Sequence, residues 1–82
     1  MKKLLYTTHG TCSKCIEVEV DDDNRIAGVM FVGGCHGNTQ GIAALVKGMD
    51  IREAIGRLEG IDCHGKGTSC PDQLAQALKQ LA

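Results

Sequence analysis

The stretch IEVEVDDDNRIAGVMFV, residues 16–32, decides the fold. Its first part, IEVEVD at 16–21, alternates apolar and acidic residues, which is typical of a strand with one buried face. Its last part, IAGVMFV at 26–32, is apolar on both faces, which favours a central strand. Between them, DDDN at 21–24 indicates a turn, because Asp and Asn tolerate the left-handed backbone of a tight reversal. The stretch therefore predicts a β-hairpin.

The segments on either side of the hairpin predict an α+β domain. Residues 3–8 suit a further strand. Downstream, three segments repeat apolar residues at i, i+3, i+4 and i+7, which is the spacing of an amphipathic helix. These residues are Ile42, Leu45, Val46 and Met49, then Ile51, Ala54, Ile55 and Leu58, then Leu74, Ala77, Leu78 and Leu81. The order predicts a three-stranded antiparallel sheet followed by three helices packed on one face.

Capping residues mark the predicted ends of these helices. Asn38 suits the N-cap of the first helix, and Asp50 begins a D-x-x-E variant of the capping box before the second. Gly60 suits the end of the second helix. Pro71 suits the first position of the last helix, since its missing N–H costs nothing there. Cys70 then lies at or beside the N-cap of that helix.

Length and composition narrow the class of protein. The chain has 82 residues, which predicts a single domain over residues 1–82. It contains one Phe, one Tyr and no Trp, so its core must be aliphatic. A domain this small often needs a disulfide, a metal or a partner subunit for stability. The net charge of −1 and the scarcity of aromatic residues disfavour nucleic-acid binding.

The N-terminal sequence and the cysteine count bear on location. MKKLLYTTHG, residues 1–10, has too short an apolar run for a signal peptide, and no segment approaches the roughly 20 apolar residues of a membrane span. We therefore expect a cytoplasmic protein that does not bind membranes. In a reducing cytosol, five cysteines favour metal or redox chemistry over a disulfide framework.

The cysteines lie at the predicted junctions between elements. Cys12 and Cys15 lie at the entry to the second strand, and Cys35 follows the third strand. Cys63 lies in a Gly-rich loop, and Cys70 opens the last helix. Strand ends and helix starts can converge at one edge of a small domain, where thiolates could form a tetrahedral site. A helix N-terminus also stabilises a thiolate, which favours Cys70 and, more weakly, Cys35.

Other interpretations of these residues stay open. Cys12 and Cys15 form a C-x-x-C, which indicates half a zinc site or a redox pair. The remaining cysteines could be small buried apolar residues. His36 and His64 each follow a cysteine, either as exposed loop residues or as metal contacts. If the second strand begins by Cys15, its side chain lies on the polar face with Glu17 and Glu19, away from Ile16 and Val18.

Three segments carry a family resemblance. GTCSKCIEVEV at 10–20, FVGGCHGNTQGIAALVKGM at 31–49 and TSCPDQLAQAL at 68–78 resemble the TSCPD domain family, and the resemblance extends over the whole chain. It implies a single TSCPD-like domain of the short stand-alone branch. It also implies a set of four cysteines, while Cys15 departs from the family pattern, which usually has a charged residue there. The four cysteines are Cys12, Cys35, Cys63 and Cys70.

The resemblance also bears on partners. Related domains occur at the C-terminus of some vitamin-B12-dependent ribonucleotide reductases, but this chain is far too short to contain the reductase barrel. A weaker similarity is to iron–sulfur scaffolds of the NifU/IscU type, with Cys12, Cys35 and Cys70 at their three site positions. Both resemblances imply a protein partner in an iron–sulfur or reductase pathway, and an accessory protein more than an enzyme by itself.

Three functions therefore remain. The first is a metal-binding module in which Cys12, Cys35, Cys63 and Cys70 hold Zn²⁺ or an iron–sulfur cluster. The second is a thiol-redox accessory protein of ribonucleotide reductase, in which Cys63 with Cys70, or Cys12 with Cys15, cycles between dithiol and disulfide. The third is a protein-interaction module whose cysteines are structural.

Overall fold

The chain has the predicted α+β architecture. The computed structural model describes residues 1–34 and 36–82. The elements are β1 (Lys2–Thr7), β2 (Ser13–Val20), β3 (Ile26–Gly33), α1 (His36–Val46), α2 (Ile51–Leu58) and α3 (Cys70–Leu81). The three strands form one antiparallel sheet. Within the described ranges, no helix has the length and apolarity needed to cross a bilayer.

The sheet corrects one prediction about strand order. The order β1-β2-β3 places β2 in the centre and makes β3 an edge strand, although its sequence favoured a central one. The reason is topological, because each short connection pairs a strand with the next one in the chain. The second apolar face of β3 stays open: Met30 is 55% exposed and Val32 is 40% exposed.

The core is aliphatic, as the composition predicts. Alternate residues of β2 point inward and are fully buried, while Glu17 and Glu19 are only half-buried on the opposite face. The helices cover the inner face, and α3 contacts both β1 and β2. The core residues are Ile16, Val18, Val20, Ile26, Val46, Ile51, Ala54, Leu74, Ala77 and Leu78.

The first helix differs from its prediction. It begins at His36, so Asn38 lies in its first turn and is not the N-cap. It ends at Val46, because the chain turns back to pair with β3: the Ile26 amide donates to the Met49 carbonyl. Met49 is therefore outside the helix. Leu45 is 78% exposed, so the predicted apolar stripe is wrong at this residue as well.

The other two helices begin close to their predicted positions. The Asp50 carboxylate caps α2 by accepting from two backbone amides of its first turn, and Gly60, with a φ of +84°, follows its end. Ser69 is the N-cap of α3, and its hydroxyl accepts from the Asp72 amide. Cys70 is therefore the first helical residue and Pro71 follows it, one position later than predicted.

Candidate functional site

Three of the predicted ligands line a common cavity. Cys12 lies in the loop before β2, Cys63 in the loop after α2, and Cys70 at the start of α3. All three line a cavity of about 440 Å³ between α1 and the start of α3. The same three residues line a smaller cavity of about 30 Å³ on the side of Gly10 and Lys66. The fold thus brings together cysteines from three separate segments of the chain.

The four described cysteines are free thiols. Cys12, Cys15, Cys63 and Cys70 are free, and Cys12 is exposed while the other three are partly buried. The prediction for Cys35 lies outside the described residues. Within residues 1–34 and 36–82, no three His, Cys, Asp or Glu side chains are arranged as a ready-made metal site. Cys12, Cys63 and Cys70 share a cavity, but the described cysteines do not form a closed ligand shell.

Two helix N-termini border the larger cavity. Gly37 and Asn38 in the first turn of α1 line it, as do Cys70 and Pro71 in the first turn of α3. The unpaired amides of a helix N-terminus carry about half a positive charge. This field favours negative charge in the cavity that Cys70 lines.

A buried carboxylate holds the loop that carries Cys63. Asp72 in the first turn of α3 is 7% exposed. Its Oδ1 accepts from the Gly60 amide at 2.7 Å, and its Oδ2 accepts from the Thr68 hydroxyl. These two hydrogen bonds, the one from Thr68 foremost, lower the pKa of Asp72 below its ordinary value of 3.8. Asp72 therefore ties both ends of the loop 60–68 to α3.

The next residue of α3 extends this network to the loop before Cys12. The Gln73 side chain donates to the Thr68 hydroxyl oxygen at 2.9 Å and accepts from the backbone amide of His9 at 3.0 Å. A Cβ atom on Gly10 would lie 3.1 Å from the Thr68 methyl group, so this loop passes close to Thr68. Asp72, Thr68 and Gln73, hereafter the polar clamp, thus hold the loops that bear Cys12 and Cys63 against the helix that begins at Cys70.

The loop around Cys63 has its own support. The Asp62 carboxylate accepts from the amides of Gly65 and Gly67, both of which have positive φ angles that glycine adopts without strain. The Cys63 amide donates to the Thr68 carbonyl, and its carbonyl accepts from the Lys66 amide. These bonds fix the backbone on both sides of Cys63.

The fifth cysteine and the two histidines lie elsewhere. Cys15 is within β2 and pairs with Thr7 and Val32, which places it on the open face of the sheet with Glu17. The predicted face is confirmed, but Cys15 lies inside a strand and not at its entry. His36 and His64 are exposed. Of the described residues that line the cysteine cavities, none is a histidine, and Cys15 is not among them.

Replacing Cys15 by serine should therefore leave the thiol site unchanged. The side chain is on the face of the sheet opposite the core residue Ile16 and borders neither cavity. We expect Cys15→Ser to keep the metal content of the wild type and to melt within about 3 °C of it, since surface substitutions change stability by about 0.5 kcal/mol or less. Metal analysis with thermal unfolding checks this. A large loss of metal would place the site at the C-x-x-C.

Sequence reasoning did not find the polar clamp. It assigned Asp72, in the first turn of the last helix, only the role of complementing the helix dipole, and it assigned no role to Thr68 or Gln73. The spacing S-x-x-D at Ser69 and Asp72 is a cap signal that could have placed the helix start one residue earlier. No local pattern shows that Gln73 reaches the amide of His9, because that contact spans most of the chain.

Comparison of the chain with known protein families agrees with the resemblance found in the sequence. The family model of the TSCPD domain matches residues 2–82, which is essentially the whole chain. No curated protein and no solved structure shows a significant match. The pentapeptide TSCPD, residues 68–72, names the family and spans the N-terminus of α3, at which the cysteine cavity and the polar clamp meet. The chain belongs to the TSCPD domain family.

Proposed function

We propose that this domain is a metal-binding module in which four cysteines hold Zn²⁺ or an iron–sulfur cluster. The single observation that carries the proposal is the cavity shared by Cys12, Cys63 and Cys70. These residues come from three distant segments, and the polar clamp ties two of those segments to the third. Cys35, immediately before α1, is the proposed fourth ligand.

The donor set fits such a group. Thiolates are soft ligands that suit both Zn²⁺, with Zn–S distances of about 2.3 Å, and iron–sulfur clusters. The bordering N-termini of α1 and α3 offset the negative charge that several thiolates bring together. Since the described thiols do not form a ready-made shell, binding requires their side chains to rotate into the cavity that they line.

The number of cysteine ligands indicates the role of the bound metal. Four thiolates complete a tetrahedral shell and leave no position for substrate, which favours a structural or electron-carrying role over Lewis-acid catalysis. A bound zinc would cross-link the loops, while a bound cluster would carry electrons. In the second case we propose a protein partner in an iron–sulfur or reductase pathway of the cytoplasm.

A thiol-redox function is the second candidate. Cys63 and Cys70 are free, partly buried and line the same two cavities. In this function the two thiols would form a disulfide, release two protons and pass two electrons to a disulfide of a partner reductase. The thiolate at the start of α3 would be the attacking group.

Metal analysis of anaerobically purified protein distinguishes the two candidates. The metal-binding function predicts one equivalent of zinc per chain, or iron with an absorption band between about 320 and 420 nm. The redox function predicts no metal and a Cys63–Cys70 disulfide that forms with a mild oxidant. Protein that binds no metal when zinc or iron is supplied to the reduced form would contradict the first proposal.

A further inference from the structure

Ser13 lies against the sulfur of Cys70. It is the first residue of β2, is 4% exposed, and its Oγ lies 3.4 Å from the Cys70 Sγ. The same Oγ lies 3.0 Å from the hydroxyl oxygen of Thr11. A Cβ atom on Gly34 would come within 3.4 Å of the Ser13 Cβ, so the residue is enclosed on that side as well. Ser13 is thus a buried hydroxyl whose neighbours hold it beside one cysteine.

For a metal-bound Cys70, hydrogen-bonding capacity fixes the direction of the contact between Ser13 and Cys70. A thiolate sulfur, whether free or bound to a metal, accepts hydrogen bonds and has no proton to donate. The single hydroxyl proton of Ser13 is then directed at Cys70 Sγ. The Thr11 hydroxyl lies 3.0 Å from Ser13 Oγ and 3.3 Å from the Ser13 carbonyl oxygen, and its one proton is shared between these two acceptors.

We propose that Ser13 is a positioning residue for the metal site: its hydroxyl hydrogen-bonds the Cys70 thiolate and holds that sulfur toward the cavity. This role rests on the proposed metal-binding function. Ser13 differs from the four ligands because it would not contact the ion. Hydrogen-bond partners of metal ligands commonly change metal affinity by about 10- to 100-fold when they are removed.

The test compares Ser13→Ala with Ser13→Thr in the full chain. Zinc affinity is measured by competition with a chelator, and cobalt is used as a spectroscopic probe of the sulfur ligands. Ser13→Ala should bind zinc about tenfold or more weakly and shift the thiolate-to-cobalt charge-transfer band. Ser13→Thr retains the hydroxyl and should bind zinc within about threefold of the wild type with an unshifted band. Thr7→Ala, on the exposed part of β1, is the matched control.

Zinc affinity and the cobalt spectrum report the positioning of Cys70, while the melting temperature without metal reports the stability of the fold. The metal-free Ser13→Ala protein should melt close to the metal-free wild type, since one neutral hydrogen bond contributes about 1 kcal/mol. Ser13→Ala that binds zinc as tightly as the wild type, with the same cobalt spectrum, overturns the role of Ser13 alone. A wild type that binds none of zinc, cobalt and iron when each is supplied to the reduced protein overturns the metal-binding function and this role with it.

Discussion

Replacing Cys70 by serine should abolish stable metal binding and lower the melting temperature of the metal-loaded protein by about 10–20 °C. The sulfur lies at the start of α3, borders both cysteine cavities and contacts Ser13. Loss of one thiolate should weaken binding by more than about 100-fold, because even a lost hydrogen-bond partner of a ligand costs about 10- to 100-fold. A 100-fold loss of metal affinity removes about 2.7 kcal/mol of stabilisation by bound metal, which corresponds to this temperature shift in a small domain.

The metal-free proteins provide the control for this prediction. Ser69, not Cys70, caps α3, so serine at the first helical position should not disturb the helix start. Chelator-treated Cys70→Ser and wild type should therefore melt within about 3 °C of each other. Calorimetry on both forms, with Cys15→Ser alongside, measures this. If Cys70→Ser keeps normal metal content and stability, Cys70 is not a metal ligand and only begins the helix.

Replacing Asp72 by alanine should strongly destabilise the metal-free fold. The change removes the acceptor for the Gly60 amide and the Thr68 hydroxyl, and both donors lie at a partly buried contact. Hydrogen bonds to a charged group contribute about 1.5–3 kcal/mol, so we expect a loss of about 2–3 kcal/mol in the free energy of unfolding. Urea unfolding measures it. Asp23→Ala, at the exposed turn before β3, should change stability by less than about 0.5 kcal/mol.

The contribution of the Asp72 carboxylate to the stability of the fold should depend on pH. The pKa of Asp72 is lowered in the folded state, so its contribution is present above the unfolded value of 3.8 and is lost as pH falls through the folded value. Near neutral pH, wild type should exceed Asp72→Asn in stability, and the difference should shrink below about pH 4. A difference that stays constant from pH 7 to pH 2 would show that the Asp72 charge does not stabilise the fold.

Much of the fold was predictable because its signals are local. The alternation in β2, the turn at 21–24 and the Asp50 cap are each encoded within a few residues, and the structure has all three. The first helix was predicted less well. Its apolar spacing continued to Met49, but a tertiary hydrogen bond from Ile26 to Met49 draws that segment to the edge of the sheet and ends the helix at Val46.

Part of the site was also predictable from local sequence signals. Junction placement and the family resemblance identified Cys12, Cys63 and Cys70, and the fold places all three at one cavity. The groups that hold them were not predictable, since Gln73 meets His9 and Ser13 meets Cys70 only after the sheet and the last helix have packed. Such contacts depend on tertiary distances that no spacing in the sequence reports.

Counting reactive thiols with and without zinc tests the central claim most directly. Anaerobically reduced, metal-free protein under native conditions should react with an alkylating reagent at Cys12, Cys15, Cys63 and Cys70, and denaturation should expose all five cysteines of the chain. With one equivalent of zinc under native conditions, only Cys15 should react, because it lies on the open face of the sheet while the four ligands are bound. Peptide mapping identifies the labelled residue. Labelling of Cys12, Cys63 or Cys70 at the same rate with zinc as without it would contradict the proposed four-cysteine site.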